Sequence, residues 1–357
     1  MSVLGVEVLR TVQGALGAFD MPGMVVAAQR GDEAAETLVV GVDDAGRPLA
    51  ADSLFPVASV TKLATALAVL RLADAGAIGL DDPLAAHLPD AVAAKPGVTP
   101  RKLLCHVSGL PLDLPPGAAL YAPGLDWPTL ARACLATPLA EPPDRVVQYS
   151  NSGYGLLAAL VERATGQGFA AALAALVLDP LGVEGYLGVE PPRRPARVRG
   201  VRGHHRGTDL EPFNSAFWRS LAFPWAGLLT DAAGALRLVG AFCGRPAGFL
   251  SPALVQTAAR DATGGLGGGF GGPLRWTPCP WALGPEVRGA KTPYWAPPEA
   301  SAESFGHSGA SGALAWADPA ADVAWVILGT RTGDGGWMLQ AAPDIGARIL
   351  ASAATGA

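Results

Sequence analysis

At 357 residues, half of them hydrophobic and 16% charged, the chain can bury one large core or two intimately joined ones. Its net charge of −5 is mild and no apolar run reaches membrane-spanning length, so neither nucleic acid nor a membrane is an expected partner. Four scattered cysteines (Cys105, Cys134, Cys243, Cys279) read as free thiols in or near the core, and five histidines lack paired metal-ligand spacing, so no metal or other cofactor is expected.

The chain start, Met1-Ser2-Val3-Leu4-Gly5-Val6-Glu7, lacks the basic region and cleavage site of a secretory signal, which points to the cytoplasm. Residues 4–19 fit an amphipathic helix, followed by a hairpin with strands at 24–29 and 37–42 around a turn at Gly31-Asp32. The turn-like Asp52-Ser53-Leu54-Phe55-Pro56 leads to Ala58-Ser59 and then to 60–75, a Leu- and Ala-rich run that reads as a largely buried helix. The pattern stays mostly helical to about 223, with helices at 127–136 and 152–165 between Pro- and Gly-rich loops. Alternating segments return at 281–287, 313–317 and 323–328, the last two joined by Asp318-Pro319-Ala320-Ala321-Asp322, before a terminal helix around 345–353. The N- and C-terminal strands must share one antiparallel sheet. The expectation is an α+β fold: residues 1–58 and 225–357 form a discontinuous α/β domain, and residues 59–224 form an inserted, mainly helical one. The active site is expected in the cleft between them.

Ser59-Val60-Thr61-Lys62 carries the first chemical signal, because the chain has only four lysines against 22 arginines and one of them sits a helical turn after a serine. Arginine stays protonated, whereas a lysine shielded from water can lose its proton and act as a base. At a helix N-terminus the unpaired backbone N–H groups and the helix dipole would stabilise negative charge at Ser59, and Lys62 would project from the same face. A serine N-cap followed by an exposed lysine is the other reading of such a spacing.

Further along stand Tyr149-Ser150-Asn151 and His307-Ser308-Gly309, the latter inside Phe305-Gly306-His307-Ser308-Gly309-Ala310-Ser311-Gly312. With Ser59-x-x-Lys62 these resemble the three motifs of the serine β-lactamase and penicillin-binding-protein superfamily, in the branch with class C β-lactamases, D-stereospecific peptidases and family VIII carboxylesterases. The resemblance extends through Gly79-Leu80-Asp81-Asp82-Pro83, Leu103-Leu104-Cys105-His106-Val107-Ser108-Gly109-Leu110, Gly153-Tyr154-Gly155-Leu156-Leu157 and Asp179-Pro180-Leu181-Gly182-Val183, most of the chain. It implies a β-lactamase/transpeptidase-like fold, an antiparallel sheet flanked by helices with an inserted all-α domain. It also implies catalysis through an acyl-enzyme on Ser59.

Lys62 would then take the Ser59 proton. Tyr149 would relay a proton to the leaving group, as a transient phenolate or a hydrogen-bond bridge, and Asn151 would orient Lys62 and the substrate. Tyr149 as a core tyrosine and Asn151 as a helix cap are the structural alternatives. The N–H groups of Ala310 and Ser59 would form an oxyanion hole, with Gly309 and Gly312 letting the strand approach the substrate. His307 departs from the Lys-Thr-Gly common in this family. A histidine with a reference pKa near 6.5 is partly charged at neutral pH, which weakens selection for a substrate carboxylate.

Three other features read as structural. His106 falls in a stretch that recurs in the family as a turn. The basic run from Arg193 to Arg206 reads as a solvated loop, with steering of an anionic substrate as the alternative. Gly264-Gly265-Leu266-Gly267-Gly268-Gly269-Phe270-Gly271-Gly272 lacks the ending of a phosphate loop and reads as a flexible surface connection. Loops at 112–128, 213–225 and 294–298 would form an apolar, rigid rim. The absence of a Gly-x-Ser-x-Gly elbow argues against an α/β-hydrolase, and the resemblance implies a serine hydrolase, with small carboxylic esters as the expected substrates. A D-amino peptidase or amidase, a weak β-lactamase, an acyltransferase or a non-catalytic binding protein are the alternatives. The expected partner is a small ester or amide, and the oligomeric state is unreadable.

Overall fold

A computed structural model describes residues 2–333 and 336–355 of the chain. Six strands make one antiparallel sheet in the spatial order Glu36–Gly41, Gly23–Arg30, Val323–Gly329, Ala313–Asp318, Phe305–Gly309 and Glu286–Val287. The N-terminal hairpin thus joins the C-terminal strands through Gly23–Arg30, with Val26 opposite Ile327. Alternation along each strand sends Met24, Val26 and Ala28 to one core and Val25 and Ala27 to another. Helices cover both faces, Val6–Ala18 and Trp337–Thr355 on the first, Thr61–Asp74 and Ala232–Ala241 on the second. Strands buried on both sides read as continuous apolar runs, as Val323–Gly329 does.

Residues 61–220 supply helices, chief among them Thr61–Asp74, Trp127–Ala136 and Asn151–Thr165. The Thr61–Asp74 helix is buried at 11 of its 14 residues. Leu63, Leu67 and Leu70 are fully covered, and each such side chain contributes roughly 1.5–3 kcal/mol on burial. That sum offsets the desolvation of Lys62 in the same helix.

Three expectations need correcting. The terminal helix starts at Trp337, well before 345: Pro343 and Gly346 weaken its helical signal, but burial of Trp337, Met338, Ala341 and Ala342 overrides propensity. Of the expected strand at 281–287 only Glu286–Val287 joins the sheet, because Gly284 and Pro285 interrupt it. The basic run is the solvated loop expected, although ion pairs tie parts of it down. Arg193 pairs with Asp52 and Glu184, Arg197 with Glu211, and Arg199 with Asp44 and Asp20. The Arg199 backbone also bonds with Thr330 and Thr332 at the end of the central strand.

The glycine-rich run is a structural strand. Gly268–Gly271 pairs in parallel with Val147–Gln148, immediately before Tyr149, and antiparallel with Leu274–Trp276. A Cβ on Gly268 would stand 2.0 Å from the Val147 carbonyl oxygen, and one on Gly269 would stand 2.2 Å from that of Leu274. Glycine is needed here for close backbone approach, and the composition that suggests flexibility instead reflects tight packing.

Candidate active site

Ser59 sits in a single 3-10 turn, Ala58–Val60, that runs directly into the Thr61–Asp74 helix. Ala58 takes a left-handed φ of 44° to make the sharp entry, a strained conformation of the kind found at functional sites. The turn is held from two sides. The Val57 N–H donates to the Leu228 carbonyl at 3.1 Å, and the Leu228 N–H donates to Thr61 Oγ1 at 3.1 Å. On the other side, Gly309 lies so near that a Cβ would be 2.3 Å from the Val57 carbonyl oxygen. Gly309 therefore lets its strand close on the Ser59 turn, and Gly312, at φ 97°, makes the hairpin turn after it.

Lys62 is fully buried and points at the serine, with Nζ 3.3 Å from Ser59 Oγ. It also donates to Asn151 Oδ1 at 2.8 Å and to the Trp225 carbonyl at 3.0 Å. Desolvation drives its pKa well below that of a free lysine, against the opposing pull of the Asp113 and Glu286 carboxylates. An amine in that state is a base beside a hydroxyl. Asn151 is the first residue of its helix and not the cap; Ser150 caps it, accepting from the Gly153 N–H at 3.0 Å.

Tyr149 leaves the Val147–Gln148 strand with its N–H bonded to the Gly269 carbonyl at 3.1 Å. Its ring is caged by Phe270, His106 and Trp281 at centroid distances of 4.4, 4.7 and 5.6 Å, and Lys62 Nζ lies 4.5 Å from its centroid. The hydroxyl is buried beside Ser59 without a well-formed hydrogen bond. Burial raises its pKa well above 10.0, so the resting group is a phenol. His106 is part of this cage: buried and at φ 61°, it accepts the Ser150 N–H at Nδ1 over 3.1 Å.

His307 differs from expectation in its charge, not in its place on the strand. It is fully buried on the Phe305–Gly309 strand, 6.0 Å from the Tyr149 ring, with Nδ1 donating to the Ser308 carbonyl at 2.7 Å. Burial pushes its pKa down to about 3, so the ring is neutral rather than partly charged. The next residue, Ser308, is half-buried, and its N–H and hydroxyl both donate to Glu286 Oε1 at 3.2 Å. Ala310 follows the strand directly, in the turn after Gly309. Ala310 is exposed, and among the described residues its N–H meets no backbone carbonyl.

Behind the strand, Glu286 is fully buried, bonded by Tyr294 Oη at 2.6 Å and Trp295 Nε1 at 3.1 Å. Tyr294 and Trp295 thus support the site from within instead of forming its rim. Glu286 leaves a faint trace in the sequence, as an acid inside an otherwise apolar stretch. Asp113, Phe270 and the Trp225 carbonyl went unnoticed, the last because a backbone acceptor leaves no trace in residue type. The thiols are poor nucleophiles here, since burial pushes Cys105 and Cys134 up to about 12.

The family model described as Beta-lactamase matches residues 8–345, nearly the whole chain. The chain belongs to the beta-lactamase family. Across 270 residues it is 37% identical to Esterase EstB of Burkholderia gladioli, covering 64% of this chain and 68% of that protein. It is 34% identical over 206 residues to Penicillin-binding protein 4 of Amycolatopsis lactamdurans, 54% of this chain but about half of that longer protein, 51%. Among solved structures, the beta-lactamase Mb2281c from Mycobacterium bovis superposes with a TM-score of 0.68 at 27% identity, covering 96% of this chain and 99% of that one. EstCE1, a hydrolase with promiscuous acyltransferase activity, shares the fold with a TM-score of 0.73 at 21% identity, covering 96% and 98%. As a member of the beta-lactamase family, the chain is a serine hydrolase.

Proposed function

We propose that this beta-lactamase-family chain is a carboxylesterase that cleaves small esters through an acyl-enzyme on Ser59. Lys62, as the neutral amine, takes the Ser59 proton while Oγ attacks the ester carbonyl carbon. The oxygen that becomes negative is held by the N–H groups of Ser59 and Ala310. As the C–O bond to the leaving alcohol breaks, Tyr149 gives that oxygen its phenolic proton and is reprotonated from Lys62. A phenol with a raised pKa suits a donor and bridge better than a resting phenolate. Water, activated by the same Lys62–Tyr149 pair, then releases the acid and restores Ser59. Asn151 orients the Lys62 amine throughout.

The observation that carries the ester preference is His307. In the place where many relatives hold a cation for a substrate carboxylate, this chain has a buried ring that stays neutral down to about pH 3. A donor whose recognition depends on a carboxylate gains nothing there. The identity to Esterase EstB supports the same reading. Amides, D-amino-acyl peptides and β-lactams are the competing donors. The test is a side-by-side assay of p-nitrophenyl esters, a chromogenic cephalosporin and a D-alanyl p-nitroanilide. Short esters should give the highest kcat/KM, with Ser59→Ala inactive on all of them; a faster lactam or anilide reverses the substrate assignment while leaving the Ser59 chemistry in place.

A further inference from the structure

Resting on the proposed Ser59 chemistry, the charge of the preferred substrate can be read from Asp113. The Asn151 N–H donates to the Leu112 carbonyl at 2.7 Å, which sets the next residue, Asp113, against the Asn151 amide. Asp113 Oδ1 accepts from Asn151 Nδ2 at 2.6 Å, and Asn151 Oδ1 accepts from Lys62 Nζ at 2.8 Å. An amide held between an amine donor and a carboxylate acceptor has only one orientation that satisfies both. Asp113 therefore stands three hydrogen bonds from Ser59 Oγ, through Asn151 and Lys62.

Unlike those partners, Asp113 is exposed, while Ser59, Asn151 and Ser308 are half-buried around the opening. Among the described residues Asp113 makes no ion pair, and its hydrogen bond to Asn151 leaves its second oxygen free. The two bases nearest the serine do not offset it: Lys62 is held toward the neutral amine by burial, and His307 is buried and uncharged. Glu286, behind Ser308, is fully buried, with its pKa raised by desolvation and the buried Lys291 as a compensating neighbour, so it contributes little to this field. The exposed Asp113 carboxylate is thus left for an incoming group to satisfy.

We propose that Asp113 is a specificity-determining residue that favours ester donors whose acyl group carries a protonated amine over neutral ones, and turns away donors carrying a carboxylate. An ammonium brought to Asp113 forms a charge-assisted hydrogen bond in a partly dry cleft, whereas a carboxylate meets a like charge. The contact is bordered by water, so the preference is modest and weakens as salt is added.

Three p-nitrophenyl esters with the same leaving group and similar acyl length test this: those of aminohexanoic, hexanoic and adipic acid. The readout is the ratio of kcat/KM values within each enzyme, so any change in overall rate cancels. Wild type should prefer the amino over the neutral ester by about fivefold, and the neutral over the carboxylate ester by a similar factor. Asp113→Asn, which still accepts the Asn151 bond at its carbonyl oxygen, should bring both ratios close to one. Raised ionic strength should narrow them in the wild type without any mutation. Ratios that are the same in wild type and Asp113→Asn, or insensitive to salt, overturn the role of Asp113 while the esterase chemistry stands. A folded wild type that cleaves none of the three overturns the Ser59 chemistry itself.

Discussion

Replacing Lys62 by methionine separates the chemistry from the folding. Methionine is unbranched and flexible, and fills the same buried slot without a proton to give or take. In the unfolded chain Lys62 stays protonated up to about pH 10.4, whereas in the fold desolvation holds its pKa well below that. Between those two limits the unfolded chain binds one more proton than the native one. Native stability therefore rises with pH through this group, by about 1.4 kcal/mol per pH unit. The methionine variant lacks this term, while the hydrogen bonds it loses to Asn151 and the Trp225 carbonyl, about 1 kcal/mol each, do not follow that slope. Urea unfolding of both proteins at about pH 8 and about pH 9 measures the difference directly: the stability of the variant relative to wild type should fall by about 1.4 kcal/mol across that unit. Ester hydrolysis should drop by about 10²–10⁴-fold in the same variant. A stability difference that stays flat over this range means that Lys62 is protonated in the fold, and its role as the base is then refuted.

Three further outcomes follow from the same geometry. Tyr149→Phe removes a buried hydroxyl that lacks a well-formed partner, so stability should hold or rise by up to about 1 kcal/mol while kcat/KM falls by about a hundredfold; wild-type rates would make Tyr149 a packing residue only. Gly309→Ala places a Cβ 2.3 Å from the Val57 carbonyl oxygen, so the strand must back away from the Ser59 turn; a loss of about 1–3 kcal/mol in thermal or urea unfolding is expected, together with slower catalysis, and an unchanged enzyme contradicts the close approach. His106 and His307 are both buried neutral, with pKa values depressed by desolvation. Stability from such groups is complete above the ordinary value near 6.5 and is lost as pH falls toward the folded one, by about 2 kcal/mol per histidine between about pH 7 and about pH 5. His307→Gln should remove one of these two shares from the measured pH slope, and a slope identical to wild type would show that His307 is charged or exposed.

The parts of the centre that lie on strong local signals were legible in the sequence. Ser59 and Lys62 share a helix start whose Leu- and Ala-rich continuation could only be buried. Tyr149 and Asn151 stand at the join between a short strand and a helix opened by Ser150. What stayed hidden depends on contacts between distant segments. The Gly264–Gly272 stretch has the composition of a loop, yet close backbone approach to Val147 and Leu274 makes Gly268–Gly271 a strand and puts Phe270 on the Tyr149 ring. The reference pKa of histidine suggested a partial charge at His307, but full burial beside Lys62 reverses it. Asp113 could not be told from any other loop acid until the Leu112 carbonyl brought it to Asn151.

The central claim is a nucleophilic Ser59, and the most direct measurement is labelling of the whole chain with a fluorophosphonate probe, followed by mass spectrometry of the modified peptide. One adduct per chain on Ser59, absent from Ser59→Ala and strongly slowed in Lys62→Met, is the predicted result. A folded wild-type protein that takes no label, or takes it on another serine, contradicts the assignment.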